Sequence, residues 1–184
     1  MSVNEISQEL SNETLNYVHD INTIKQLVFN GASINYQNTI GWSALFESVS
    51  FGHIDTLKEL IRLGVNVNMV DLKNRNALFW ALFHKQTDCA IELINSGINL
   101  NNDVSPLVPA IHYATYKQNI DVVKCFIEKG LNIDSQDYLN ATPLIYAYLY
   151  KKDLMVEFLE KNGANIQHTD IFGNSPIKLK ETNV

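Results

Sequence analysis

The residues of this chain that could do chemistry are five histidines, two cysteines and a large set of aromatic rings. The histidines, His19, His53, His84, His112 and His168, stand singly, with no partner at the spacing of a metal site. Cys89 and Cys125 are too few for a disulfide framework or a four-ligand zinc site, and fit a reducing compartment. There is no phosphate-cradling glycine loop, no His-Glu-x-x-His, no Cys-x-x-Cys and no strand–turn–helix around an activated nucleophile. The expectation is therefore a chain that is not an enzyme and needs neither metal nor cofactor. The rings remain: two Trp, eight Tyr and eight Phe, with six of the tyrosines between positions 113 and 150. Large rigid rings with a polar tip lose little entropy on contact and dominate binding hot spots, so the chemistry they offer is recognition.

The elements that position those rings follow from the glycines. Gly31, Gly64, Gly97, Gly130 and Gly163 recur every 33 residues, each after an apolar, helix-like stretch. Three residues after each comes Ile34, Val67, Leu100, Ile133 or Ile166, and one further on Asn35, Asn68, Asn101, Asp134 or Gln167. A fixed period in this range marks an array whose units bury their apolar faces against their neighbours. In the same register, Ser43, Asn76, Thr142 and Ser175 stand where a side chain caps a helix, and Pro143 and Pro176 suit the first helical position. Apolar residues then follow at helical spacing, as in Leu144, Ala147 and Tyr148. After a short break comes a second helix, as in Leu57, Leu60 and Ile61. Each unit reads as helix, tight turn, helix and extended connector, with the repeat glycine as a left-handed cap.

The segments Asn140-Ala141-Thr142-Pro143-Leu144 and Asn162-Gly163-Ala164-Asn165-Ile166 resemble the ankyrin repeat. So do Ile111-His112-Tyr113-Ala114, Gly52-His53-Ile54-Asp55 and the turn aspartates Asp71, Asp137 and Asp170. The resemblance implies an all-α solenoid of stacked helix-turn-helix units with β-turn-like connectors, one domain over 1–184. A cap repeat over 1–37 precedes full repeats at 38–70, 71–103, 104–136 and 137–169, and a half-repeat cap closes the array at 170–184. It also implies local hydrogen-bonding roles for His53 and His112. The acidic first helix, with Glu5, Glu9, Glu13 and Asp20, and the polar Lys178, Lys180 and Glu181 fit the solvated outer faces that terminal repeats need.

The same resemblance implies a concave surface made of connector tips and first helices. The positions before the interhelical break, free to vary on that surface, carry Phe51, Phe83 with His84, Tyr116 and Tyr150. One turn upstream stand Glu47, Trp80, Tyr113 and Tyr146, and the tips add Trp42 and Tyr138. These eleven residues are the expected partner-binding set. Trp80, Tyr113 and Tyr146 have a second reading as packing between neighbouring first helices. The tip at 104–109 departs furthest from the pattern, with Val104 for the turn acid, Leu107 for glycine and Pro109 at the cap. That departure suggests a local conformation kept for a partner.

Fourteen Lys and Arg against twenty Asp and Glu give a formal charge of −6. That balance argues against nucleic acid or an anionic membrane surface as partner. No apolar run reaches the roughly 18–20 residues of a membrane span, and the acidic N-terminus does not read as a signal peptide. The chain is therefore expected to be cytoplasmic, monomeric when free, and a binder of another protein. Occlusion is the simplest mechanism, as in a stoichiometric inhibitor or immunity protein that masks a toxin or other enzyme, a basic one matching the acidic chain best. The alternative is an adaptor or secreted effector that binds a host protein.

Overall fold

A computed structural model of the chain describes residues 2–15 and 21–182. His19, Asp20 and the side chain of Glu13, all part of the sequence reading, lie outside the described residues. Eleven α-helices occur among the described residues, with no β-structure beyond isolated bridges at Val70–Asn76 and Ser105–Val108. The chain divides into two compact units, Met1–Asn99 and Leu100–Val184. The first holds α1 (Val3–Leu15), α2 (Ile21–Phe29), α3 (Ala44–Phe51), α4 (Ile54–Arg62), α5 (Ala77–Phe83) and α6 (Thr87–Asn95). The second holds α7 (Ala110–Tyr116), α8 (Ile120–Glu128), α9 (Pro143–Leu149), α10 (Asp153–Lys161) and α11 (Pro176–Thr182). In each unit helices pack in sequential pairs, and the first helix of one pair stacks on that of the next, α3 on α5 and α7 on α9.

Backbone hydrogen bonding explains why the helices begin and end where they do. The side chains of Ser43, Asn76 and Thr142 accept the N–H of Phe46, Phe79 and Ile145, satisfying donors that a helix start leaves over. Among the described residues, the breaks after α3, α5, α7 and α9 each close with a six-residue return bond: His53 N–H to Ser48 O, Gln86 to Ala81, Asn119 to Ala114 and Lys152 to Ala147. The left-handed residue there is Gly52, Lys85, Gln118 or Lys151, at φ of 75, 61, 58 and 52°. The second helices close the same way, as in Val65 N–H to Leu60 O. There the left-handed residue is always glycine, as at Gly64 with φ 89°, although a Cβ would meet nothing within 4 Å. The angle is decisive. A φ near 57° lies in the small left-handed well that a side chain tolerates, whereas 84–100° lies outside it.

The helix faces supply the core. Leu45, Phe46 and Val49 of α3, Leu57 and Leu60 of α4, Leu78 and Ala81 of α5, and Leu93 of α6 are buried in the first unit. In the second, Ile111, Ala114, Val123, Phe126, Leu144, Ala147, Met155 and Leu159 do the same. At three of the repeats the polar position four residues after the glycine ties a connector to the next: Asn35 Oδ1 accepts the Asn66 N–H at 2.7 Å, Asn68 that of Asn99 at 2.8 Å, and Asp134 that of Asn165 at 2.9 Å.

The tips share one turn. Asn38, Asp71, Asp137 and Asp170 each accept, at Oδ1, the backbone N–H groups two and four residues on. The first residue of the turn donates its own N–H to the carbonyl four residues on, as Asp71 does to Arg75. The third tip has Val104 at the acid's place and still forms that outer bond, Val104 N–H to Val108 O at 2.9 Å. Two compensations make this possible. Pro106 stands where the acid would receive an N–H and has none to offer, and the Val108 N–H turns to the Ser105 carbonyl at 2.9 Å. Leu107 keeps the left-handed backbone of its counterparts, φ 61° beside 57° at Asn74 and Asn140. The divergent sequence thus preserves the path of the tip instead of giving it a separate conformation.

A leucine in the left-handed region is strained, and its exposed side chain gains little from packing. Leu107→Gly is expected to raise unfolding free energy by up to about 1 kcal/mol in denaturant titration, strain relief outweighing the added freedom of the unfolded chain. Unchanged or lower stability would contradict the strain.

Candidate functional site

The ring-bearing positions fall into two tiers. Phe51, Phe83, Tyr116 and Tyr150, at or just past the C-terminal ends of α3, α5, α7 and α9, are 60, 47, 43 and 49% exposed. His84 and Tyr138 are exposed as well. The inner tier, Trp42, Trp80, Tyr113 and Tyr146, is half-buried, and Glu47 is buried at 3% exposure. Expected among the contact residues, Glu47 is not on the surface.

In the first unit the inner tier is held by the turn acid. Asp71 Oδ2 accepts the Trp80 indole N–H at 3.2 Å and pairs with the Arg75 guanidinium at 2.7 Å. The Arg75 Cζ lies 4.2 Å from the centre of the Trp80 ring, so one cation serves both acid and ring. Burial alone would raise the Asp71 pKa. The bonds from the Arg75 side chain and from the Arg75 and Lys73 N–H groups outweigh it and hold the carboxylate below its usual range. Trp42 meets Trp80 edge-on at 4.7 Å, and His84 stacks on Trp80 at 5.9 Å while meeting Phe83 at 5.0 Å. Phe79 stacks on Phe83 at 5.7 Å. Neither Phe79 nor Arg75 belonged to the sequence-derived set. The signal for Arg75 was present as an acid–base pair four residues apart at the start of the repeat, but its ring contact exists only in three dimensions.

In the second unit the tyrosines line an open cavity of about 340 Å³. Tyr113 and Tyr116 from α7, Tyr146 from the middle of α9, Tyr150 just past its end, and Tyr138 from the tip before α9 line it, with the 106–109 segment and His112. Tyr146 donates its hydroxyl to Asp137 Oδ2 at 2.6 Å, repeating the Trp80–Asp71 bond nine residues from the turn acid. Burial and this bond push its pKa up, so the phenol stays protonated. Tyr150 lies edge-on to Tyr116 at 5.0 Å and tilted against Tyr146 at 5.8 Å. Val104 offers Tyr113 no carboxylate, and that ring stands 6.4 Å from Tyr116 with the Lys117 ammonium 5.4 Å from its centre. The buried His112 places Nε2 2.9 Å from the Ala141 carbonyl, which can only accept, so Nε2 carries the proton. Burial lowers its pKa and keeps the ring neutral, a structural tie between repeats. A larger cavity of about 510 Å³, beside Tyr148, Glu160 and Lys180, contains none of the expected site residues. There Tyr148 donates to Glu160 at 2.6 Å, and Lys180 pairs with it at 3.3 Å.

Among the described residues no group of three His, Cys, Asp or Glu side chains is placed to hold a metal, and no helix is long and apolar enough to cross a membrane. Cys89 and Cys125 are buried free thiols, and burial pushes the Cys89 pKa up to about 11, far from a reactive thiolate. A family model for ankyrin repeats, in three copies, matches residues 15–104 and 107–170. Among solved structures the chain is similar to the ankyrin repeat domain of Bcl-3, described as a unique member of the IkappaB protein family. The two share 21% identity at a TM-score of 0.84, over 95% of this chain and 79% of that one. No curated protein matches the chain at a significant level.

Glu47 titrates where its inner-tier counterparts do not. Burial pushes its pKa up to about 7, partly offset by a hydrogen bond with Trp42, and its Oε2 has no partner. The protonated form is favoured on folding, so this contribution is complete below the unfolded carboxyl pKa near 4.5 and is lost as pH rises through about 7. Glu47→Gln is expected to be more stable than the parent by about 1–3 kcal/mol at pH 8, with the gap closing towards pH 4.5. Thermal unfolding across that range tests it; parallel pH profiles would contradict it.

Proposed function

The chain belongs to the ankyrin-repeat family, an all-α solenoid of stacked helix pairs that serves as a protein–protein interaction module, and from that premise we propose that it grips one protein partner through the exposed rings closing its first helices. The observation that carries this reading is a large exposed ring at one or the other of two adjacent positions before the interhelical break in each full repeat: Phe51, Phe83 with His84, Tyr116 and Tyr150. Each ring keeps a large apolar surface in solvent, at a cost that ring-to-ring contacts with its neighbours only partly offset. Behind them Trp80 and Tyr146 are fixed by hydrogen bonds to the turn acids, so the outer rings stand on a rigid floor. Rings already ordered lose little entropy on contact, which turns buried area into affinity.

The mode of action is occlusion. A non-catalytic chain of net charge −6 that covers its partner's surface is a stoichiometric inhibitor, of the kind an immunity protein exemplifies, and a basic toxin or enzyme is the target its charge steers best. Its place is a reducing, cytoplasmic compartment, in keeping with two buried free thiols.

The test is affinity capture of a partner with the tagged chain, followed by calorimetric titration against Phe51→Ala/Phe83→Ala and Tyr116→Ala/Tyr150→Ala. At least one pair should weaken binding 100-fold or more, two hot-spot rings accounting for about 3 kcal/mol, while the helical circular dichroism is unchanged. Full affinity in both double variants would sink the ring assignment. The partner's activity should fall to zero at one equivalent. A fully active complex would replace inhibition with an adaptor or effector role.

A further inference from the structure

We infer that Arg75 is a carboxylate-binding residue of the first unit, whose open guanidinium edge receives an Asp or Glu side chain of the protein partner. The inference rests on the protein-binding reading and names a group that the partner brings. A guanidinium has five N–H donors and no acceptor, so whatever binds it must offer acceptor oxygens. One edge is spent within the tip: Nε donates to Asp71 Oδ2 at 2.7 Å, and Nη2 lies 2.7 Å from the same oxygen. Among the described residues Nη1 makes no hydrogen bond, and it is not sealed from solvent. The edge formed by Nη1 and the second N–H of Nη2 is therefore open, a fork that two coplanar carboxylate oxygens match better than the single oxygen of an amide.

The fork is in place before a partner arrives. Arg75 Cζ lies 4.2 Å from the centre of the Trp80 ring and 5.3 Å from that of Phe79. The Trp80 indole N–H is bonded to the same Asp71 oxygen at 3.2 Å. A long side chain already ordered by an acid and two rings loses little further entropy on contact. Phe79 also stacks on Phe83 at 5.7 Å, so the fork and an exposed outer ring share one surface.

Local charge favours a carboxylate over a neutral carbonyl. In this tip Lys73 and Arg75 outnumber Asp71 by one positive charge, and Lys73 is exposed with no ion pair among the described residues. The other tip of the unit, 38–42, carries no charged residue. A single negative charge balances that excess, whereas a phosphate dianion would exceed it beside the Asp71 carboxylate. The net charge of −6 acts at longer range and steers a basic partner, while the fork acts at contact on one acidic residue of that partner.

Proton–nitrogen NMR of the full chain tests this with three probes: acetyl-Leu-Glu-amide, acetyl-Leu-Gln-amide and acetyl-Leu-phosphoserine-amide. The glutamate probe should shift the Arg75 side-chain and Trp80 indole N–H signals, with the glutamine probe at least 5-fold weaker and the phosphoserine probe no tighter. Arg75→Lys, which keeps the charge and loses the fork, should weaken the glutamate probe at least 5-fold, and Lys73→Gln, at an exposed site, at least 2-fold, with unchanged helical dichroism. Arg75→Gln should weaken a captured partner at least 10-fold. No shift at Arg75 and Trp80, equal binding of the glutamine probe, tighter binding of the phosphoserine probe, or full partner affinity in Arg75→Gln would each overturn the inference. If the probes fail while Phe51→Ala/Phe83→Ala still loses the partner, the protein-binding reading stands and this one falls. If the glutamate probe binds and Arg75→Gln loses a partner that both ring variants keep, this one stands and the ring assignment falls.

Discussion

The carboxylate at the first position of the tip turn organises the surface. In Asp71, Asp137 and Asp170 one oxygen takes two backbone N–H groups and shapes the turn, while the other reaches a side chain. For Asp71 and Asp137 that side chain includes the aromatic residue nine positions on, in the middle of a first helix. For Asp170 it is Asn174, and the outer half-repeat carries Leu179 at the ring's position. One buried or half-buried anion therefore ties a connector to a helix and sets a ring at a fixed height. Charge-assisted bonds of this kind are about twice as strong as neutral ones. The outer rings contact those the acids hold, Tyr150 tilted against Tyr146 and Phe83 edge-on to Trp80.

The two places where the acid is missing show what it does. With Val104 in its position the turn survives because Pro106 removes the donor that would have been stranded, and Leu107 bears the left-handed strain. The aliphatic and proline side chains left at that tip become one wall of the tyrosine cavity. With Asn38 in its position the amide oxygen still makes the turn, taking the Ile40 and Trp42 N–H groups. The ring position nine residues on is then Glu47, bonded to Trp42 and otherwise poorly solvated, which displaces its titration to near neutrality. The same backbone frame thus yields a charged aromatic cluster in one unit and an uncharged ring-lined cavity in the other.

Much of this was legible in the sequence because a strict period makes each position report on itself several times. The glycine spacing, the caps at Ser43, Asn76 and Thr142 and the helical apolar spacing located both helices of every full repeat. Phe51, Phe83, Tyr116 and Tyr150, placed by the sequence at the end of each first helix, are exposed there. Burial of Glu47 was not legible, because it involves Trp42 at a tip position that holds Arg75, Val108 and Ala141 in the later full repeats. Nor was the cavity, which needs rings from two helices and a tip to converge. Register told which residues share a face; only packing told which of them are held by hydrogen bonds and which are exposed. Trp80 and Tyr146, which the sequence read in two ways, are half-buried and bonded to the turn acids beside the outer rings.

The central claim is that the outer rings, and not the paired second helices, form the contact surface. Aromatic side-chain NMR of the chain with and without its captured partner tests it most directly, because each ring reports for itself. The account predicts large shifts at Phe51, Phe83, Tyr116 and Tyr150, and an unmoved Tyr148, whose hydroxyl is bonded to Glu160 on α10. Shifts centred on Tyr148, with the four outer rings unchanged, would contradict it.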